Sequence, residues 1–171
     1  NLHLGDAVEP VLEALQLASP QRFRGIRHGL TYDDHPAIGS NQWNRKEQLG
    51  EEGFRAGARV LARMGFSFDA WMYFHQLPEL VDFAQAIPEL PIILNHIGGV
   101  LGTGPYANLQ EDVIPVWKKN LAEVARCPNV VVKLGGIGQP RTGYDWYARD
   151  KPIGSEELAG LMAPFMHYAI E

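Results

Sequence analysis

The sequence predicts an α/β fold built on parallel strands, and three observations carry that expectation. Helical and strand-like segments alternate along the chain, the strand-like segments are short and apolar, and glycine or proline punctuates most junctions. Such an alternation suits either a doubly wound open sheet or part of a closed (β/α)8 barrel. The first βα turn of a nucleotide-binding sheet would show a Gly-rich fingerprint or a phosphate loop, and Gly98 and Gly99 after residues 91–96 have neither spacing. The barrel is therefore favoured.

The elements follow in order. Val8, Val11, Leu12 and Leu15 fall at i, i+3, i+4 and i+7, one face of a helix, with Asp6 placed to cap its start. After Ser19-Pro20, residues 22–28 (RFRGIRH) suit a strand that leads into a long polar loop over residues 31–44. Residues 46–64 carry helix formers and stop at Gly65, and residues 66–75 (FSFDAWMYFH) read as an aromatic strand. Leu77, Leu80, Val81 and Ala84 share a helical face behind Pro78, and the pattern ends before Pro88. Residues 91–96 (PIILNH) form a short apolar run of the kind found in strands buried on both faces. A Gly-rich loop around residues 102–105 precedes a helix marked by Val113, Trp117, Leu121 and Val124. Residues 129–136 (NVVVKLGG) are the clearest strand, and a second long loop, residues 137–154, carries Arg141, Tyr144, Trp146, Tyr147 and Arg149. A last helix begins near Ser155 and packs through Leu158, Leu161, Met162 and Phe165.

The bulk composition narrows the function. With 171 residues, 46% hydrophobic and 20% charged, the chain reads as one globular domain over residues 1–171. Fifteen Lys plus Arg against twenty Asp plus Glu give a net charge of −5, and the scattered basic residues argue against a nucleic-acid partner. The single Cys127 rules out a disulfide framework or thiolate metal cluster and fits a cytoplasmic location. No apolar run approaches the roughly 20 residues of a membrane span, so no membrane partner is expected. A small molecule is the expected partner, with a homo-oligomer open. The chain starts at Asn1 and stops at Glu171 inside a helical pattern, as an incomplete piece does.

Polar residues gather at the strand ends. Arg27 and His28 close the first strand-like run, His75 the second and His96 the third, while Lys133 lies two residues before the glycines that close the fourth. The C-terminal face of a βα barrel is where active sites are built, so this is the pattern of a catalytic mouth. His75 and His96 stand one βα unit apart, so neighbouring strands would let them converge. Imidazole suits a metal ligand or an acid/base group, and the spacing alone does not choose. A histidine closing a strand equally serves as a hydrogen-bond donor to a loop carbonyl. Arg27 would hold a substrate carboxylate or carbonyl through its fork and Lys133 as a point charge, with His28 as a further substrate contact, and both cations are also of a kind that pairs with a neighbouring carboxylate. Asp33, Asp34 and His35 are read as turn residues. The aromatic loop over residues 144–147 reads as a lid or a subunit contact.

Three stretches carry a family resemblance: FRGIRH from Phe23, FSFDAWMYFHQLPELVDFAQAIPELPIILNHIGG from Phe66, and NLAEVARCPNVVVKLGG from Asn120. The chain resembles the second amidohydrolase family, in the branch of sugar lactonases and 2-pyrone-4,6-dicarboxylate lactonase. The resemblance implies a (β/α)8 barrel of which this chain covers roughly strand four to the helix after strand seven. It implies that His96 is the strand-six active-site histidine, polarising the carbonyl or binding metal, that His75 holds the strand-five metal position, and that Arg27 contacts substrate. The implied cofactor is one divalent metal, zinc or manganese, with a metal-independent reaction as the alternative. The implied reaction is hydrolysis of a C–O bond in a lactone or similar ester of a small sugar acid or carboxylic acid. The alternatives are metal-dependent decarboxylation and a barrel that only binds a small molecule. The strand-one histidine pair does not occur in the sequence, and the strand-eight aspartate would lie beyond Glu171, so the chain alone is expected to be inactive.

Overall fold

A computed structural model of the chain describes residues 1–39 and 42–171. After a 3-10 segment, Leu2–Val8, the elements are α1 (Glu9–Ala18), β1 (Gly25–Gly29), α2 (Glu52–Arg63), β2 (Ser67–Trp71), α3 (Leu77–Ala86), β3 (Ile92–Leu94), α4 (Ile114–Val124), β4 (Val130–Val132) and α5 (Ser155–Ile170). The four strands form one parallel sheet in the order β1-β2-β3-β4, with Arg27 opposite Asp69, Asp69 opposite Ile93 and Ile93 opposite Val131. Strand order equal to chain order means that every right-handed crossover steps the same way, which keeps the helices on one side of the sheet. A doubly wound sheet reverses direction at a switch point and this one does not. The architecture is that of a (β/α)8 barrel segment.

One face of the sheet is packed. Phe68, Ala70, Ile92 and Leu94 are buried against the helices, and Phe54, Phe68 and Phe83 meet edge to face or tilted, with centroids 5.7–6.0 Å apart. Trp117 of α4, fully buried, lies against Phe165 and Tyr168 of α5 and ties the last helix down. The opposite face carries Arg27, Asp69, Ile93 and Val131. Residues 91–96 were expected to be buried on both faces; Ile93 is only half-buried, and Val131 on the same side of the sheet is 61% exposed, because no layer covers that side in this chain. No helix among the described residues is long and apolar enough to cross a membrane.

Element ends differ from the expectation in ways that matter. Asp6 does not cap α1: the preceding 3-10 turn runs straight into it at Val8, and Val11 and Leu15 of the predicted buried face stay about half exposed. β2 stops at Trp71 rather than at His75. The Gln76 side chain accepts from the Tyr73 N–H and donates to the Leu30 carbonyl, which starts a helical turn over Phe74–Gln76 and takes His75 out of the strand. β3 stops at Leu94, and the chain then turns through left-handed backbone at His96 (φ 54), Ile97 (φ 50), Gly98 and Gly99.

Candidate active site

At the C-terminal edge of the sheet the open face ends in a connected polar cluster. One Arg27 nitrogen, Nη2, donates to Asp69 Oδ2 (3.2 Å) and to Asn95 Oδ1 (3.1 Å), and Lys133 Nζ donates to the same two oxygens at 3.4 and 3.2 Å. Two consecutive strands, β1 and β2, and the residues that directly follow β3 and β4 thus contribute one group each. Asp69 and Asn95 hold two cations side by side without neutralising both, since the amide brings no charge. The Arg27 and Lys133 side chains remain about half exposed toward the mouth.

His96 sits beside this cluster. Its ring meets the edge of Trp71 (centroids 4.8 Å, planes at 88°), and Arg141 lies over the same Trp71 at 5.3 Å and over Tyr73 at 5.7 Å, donating to the Tyr73 hydroxyl at 3.1 Å. Burial first, then the positive charges of Arg27, Lys133 and Arg141, hold the His96 imidazole below its usual range, so it is neutral at neutral pH. A neutral imidazole among three cations is able to accept or donate a hydrogen bond at a substrate oxygen, while the cations favour an anion in the same place.

The position of His96 is imposed by the backbone. The Ile97 N–H donates to the Lys133 carbonyl (3.1 Å), and the Trp117 indole donates to the Ile97 carbonyl (2.7 Å). Across the mouth, Gly136 gives the ring its room: a Cβ there would lie 2.4 Å from the His96 Cβ and 2.5 Å from Nδ1. Non-glycine residues in left-handed backbone cost about 1–3 kcal/mol each and concentrate at functional sites, which marks this turn independently of its histidine.

The remaining sequence-predicted residues lie elsewhere. His28 was expected to bind substrate in the mouth. It follows Arg27 directly in a strand, so its side chain points to the opposite face, where it packs on Phe54 and His3. The Gln48 amide nitrogen bonds Nε2 of both His28 (3.0 Å) and His3 (2.9 Å), while the Gln48 carbonyl oxygen accepts from the Arg45 N–H. Burial, then the neighbouring His3 and N-terminal charges, depress His28 to about 4. His75 was expected to join His96 as a metal ligand, but no contact joins the two. His75 Nε2 lies 3.0 Å from Asp33 Oδ2, and its ring stacks on Tyr106, whose hydroxyl donates to the same Asp33 oxygen at 2.7 Å. Burial lowers the His75 pKa, against the opposing pull of Asp33. Asp33, read from sequence as a turn residue, is thus a bridge between the loops that follow β1 and β3.

Among the described residues no three His, Cys, Asp or Glu side chains stand close enough to hold an ion. His96 faces three cations, and Asp69 is already shared between Arg27 and Lys133, so this half of the mouth does not fit a dication. Sequence reasoning missed Asp69, Asn95, Trp71 and the role of Arg141. Strand alternation carries a signal for Asp69, which stands between the buried Phe68 and Ala70 and so faces the side that Arg27 faces.

Comparisons with known proteins agree with this architecture. A family model described as Amidohydrolase matches residues 2–159. The chain is 30% identical over 160 residues to the protein y4mH of Sinorhizobium fredii (strain NBRC 101917 / NGR234), covering 92% of this chain and 48% of that protein. Among solved structures it resembles an amidohydrolase from Burkholderia multivorans with bound zinc (TM-score 0.65, 22% identity, 93% of this chain and 51% of that one). It also resembles a proposed 2-pyrone-4,6-dicarboxylic acid hydrolase from Pseudomonas putida (TM-score 0.53, 20% identity, 92% and 47%). The chain spans about half the length of these relatives. Its four parallel βα units in barrel order, its strand-end cluster and a family match over nearly all of its length lead to one conclusion: the chain belongs to the amidohydrolase family.

Proposed function

We propose that the whole protein is a hydrolase that opens the C–O bond of a lactone or similar ester of a small sugar acid or carboxylic acid. The observation that carries this reading is His96, aimed by its left-handed turn to lie beside Arg27, Lys133 and Arg141 at the C-terminal edge of the sheet. When water adds to an ester carbonyl, negative charge develops on the carbonyl oxygen. Preorganised donors and cations aimed at that point stabilise it far better than water does. In this arrangement Arg27 and Lys133 hold the carboxylate or hydroxyl groups of the substrate and the His96 imidazole donates to the carbonyl oxygen. Asp69 and Asn95 keep the two cations in register. The group that takes the proton from water is not supplied by the residues gathered here, so this chain by itself is inactive.

The test is a His96→Asn substitution in the whole protein, assayed on a panel of sugar-acid lactones. The expected result is a loss of kcat of about 100-fold or more, the usual effect of removing one such donor. Undiminished hydrolysis refutes the assignment. An active protein that releases carbon dioxide from a carboxylate substrate while leaving lactones untouched replaces it with decarboxylation.

A further inference from the structure

A groove of about 510 Å³ opens beside the His96 cluster, walled by the loops that follow β1, β3 and β4. That volume lies within the roughly 300–1,000 Å³ typical of small-molecule sites. Its inner end is Tyr73 and Arg141, the pair already in contact with Trp71 and through it with His96. Outward it is lined by Thr103, Gln139 and Tyr147, over an apolar floor that includes Leu101.

The walls are preformed. Gly102 donates its N–H to the Arg141 carbonyl at 2.8 Å, and the loops that follow β3 and β4 approach so closely there that a Cβ on Gly102 would fall 2.2 Å from the Thr142 carbonyl oxygen. On the other side a Cβ on Gly143 would fall 2.1 Å from the Gly102 oxygen. The Thr142 hydroxyl donates to the Gln139 carbonyl at 2.6 Å and holds that segment from below.

We propose that this groove is a subsite for a second, hydroxylated ring of the substrate, a sugar unit linked to the lactone or ester that reacts at His96; the proposal rests on the hydrolase reading above. Tyr147 is 71% exposed and makes no ring contact among the described residues, so its flat face is free for the C–H groups of a sugar. The Gln139 and Thr103 side chains bond no other group among the described residues, leaving an amide and a hydroxyl for ring hydroxyls. Among the described residues no carboxylate lines the groove and Arg141 is its one charge, which suits a neutral, oxygen-rich ligand and disfavours a cationic one. Binding energy gained on this non-reacting ring serves to hold the reacting carbonyl at His96.

The experiment compares kcat/KM of the whole protein for cellobiono-1,5-lactone and glucono-1,5-lactone. The two-ring lactone is expected to be favoured about tenfold or more, equivalent to one good polar or stacking contact at 1.4 kcal/mol per factor of ten. Tyr147→Ala and Gln139→Ala each bring the ratio toward one. A ratio near one in the unaltered protein, or a ratio that neither substitution changes, overturns the proposal. Cellobiose, which has no lactone, separates this inference from the hydrolase reading. In an NMR titration it is expected to shift the Tyr147 and Gln139 signals even if neither lactone is hydrolysed, in which case the reaction assignment falls and the groove stands. Unmoved signals overturn the groove itself.

Discussion

Replacing Gly136 with alanine probes the coupling between backbone and His96 at the point of closest approach. Gly136 has φ +76, a conformation that costs an L-residue about 1–2 kcal/mol. The new methyl would also stand 2.4–2.5 Å from three atoms of His96, so the imidazole has to leave its place against Trp71. An off-rotamer displacement costs about 0.5–1.5 kcal/mol, and losing an edge-to-face ring contact costs a similar amount. The total expected destabilisation is about 2–5 kcal/mol, which for a chain of this size lowers Tm by roughly 4–20 °C. Calorimetry or thermal circular dichroism gives that shift. The His96 ring signals in NMR give the displacement, with a pKa that rises toward the ordinary value as the ring leaves its cationic neighbours. A variant with Tm within about 2 °C of the parent and an unmoved His96 signal refutes the reasoning.

Further predictions concern groups away from that contact. Gly160→Ala is the opposite case: it sits in exposed α5 with nothing within 4 Å of a new Cβ, and is expected to stabilise the chain by about 0.5–1 kcal/mol in urea unfolding. Trp117→Phe keeps an aromatic ring but leaves the Ile97 carbonyl without its buried donor, at a cost of about 1–3 kcal/mol plus the lost volume; an unchanged urea midpoint would remove Trp117 from the support of the His96 turn. His28 predicts a pH signature. Its folded pKa, about 4, lies below the 6.5 of a free imidazole, so the unfolded chain binds the extra proton between these values and stability falls as pH drops through that window. The His28→Asn variant is expected to show a flatter urea midpoint against pH over this range, and curves of equal slope for variant and parent would contradict the buried, neutral imidazole.

The fold was legible because both periodicities are strong. The helical spacing of Leu77, Leu80 and Ala84 and the apolar VVV of β4 mark elements that the structure contains, with α3 and β4 in the expected places. Strand ends were less legible because the aromatic pattern of residues 66–75 continues past the last ladder hydrogen bond. What stops β2 is the Gln76 side chain bonding Tyr73 and Leu30, a contact 46 residues long on one side that no local pattern reveals. Strand-end placement pointed to His96, Arg27 and Lys133, which the fold brings into one cluster, whereas Asp69 needed the register Arg27↔Asp69 to acquire meaning. Arg27 and His28 were both placed in the mouth, although neighbours on a strand face opposite ways. The alternation rule alone separates them.

Neither His96 nor His75 lies in a strand, so strand alternation does not decide which of them faces the cationic cluster. A histidine inside a strand would be aimed by the pleat, to one face or the other. His96 lies two residues beyond β3, and its direction is set by a left-handed turn that most L-residues avoid. That turn persists because its neighbours leave it little alternative. Ile97 is held at its N–H by Lys133 and at its carbonyl by Trp117, Gly98 donates to the Asn95 carbonyl, and a Cβ on Gly99 would collide with the Met72 carbonyl oxygen at 2.1 Å. The Lys133 carbonyl fixes the turn while the Lys133 ammonium, on the same residue, helps form the cluster that the turn points toward. The backbone hydrogen bond from Ile97 to Lys133 thereby ties the direction of the imidazole to the residue whose ammonium adds, after burial, to the effects that lower the His96 pKa.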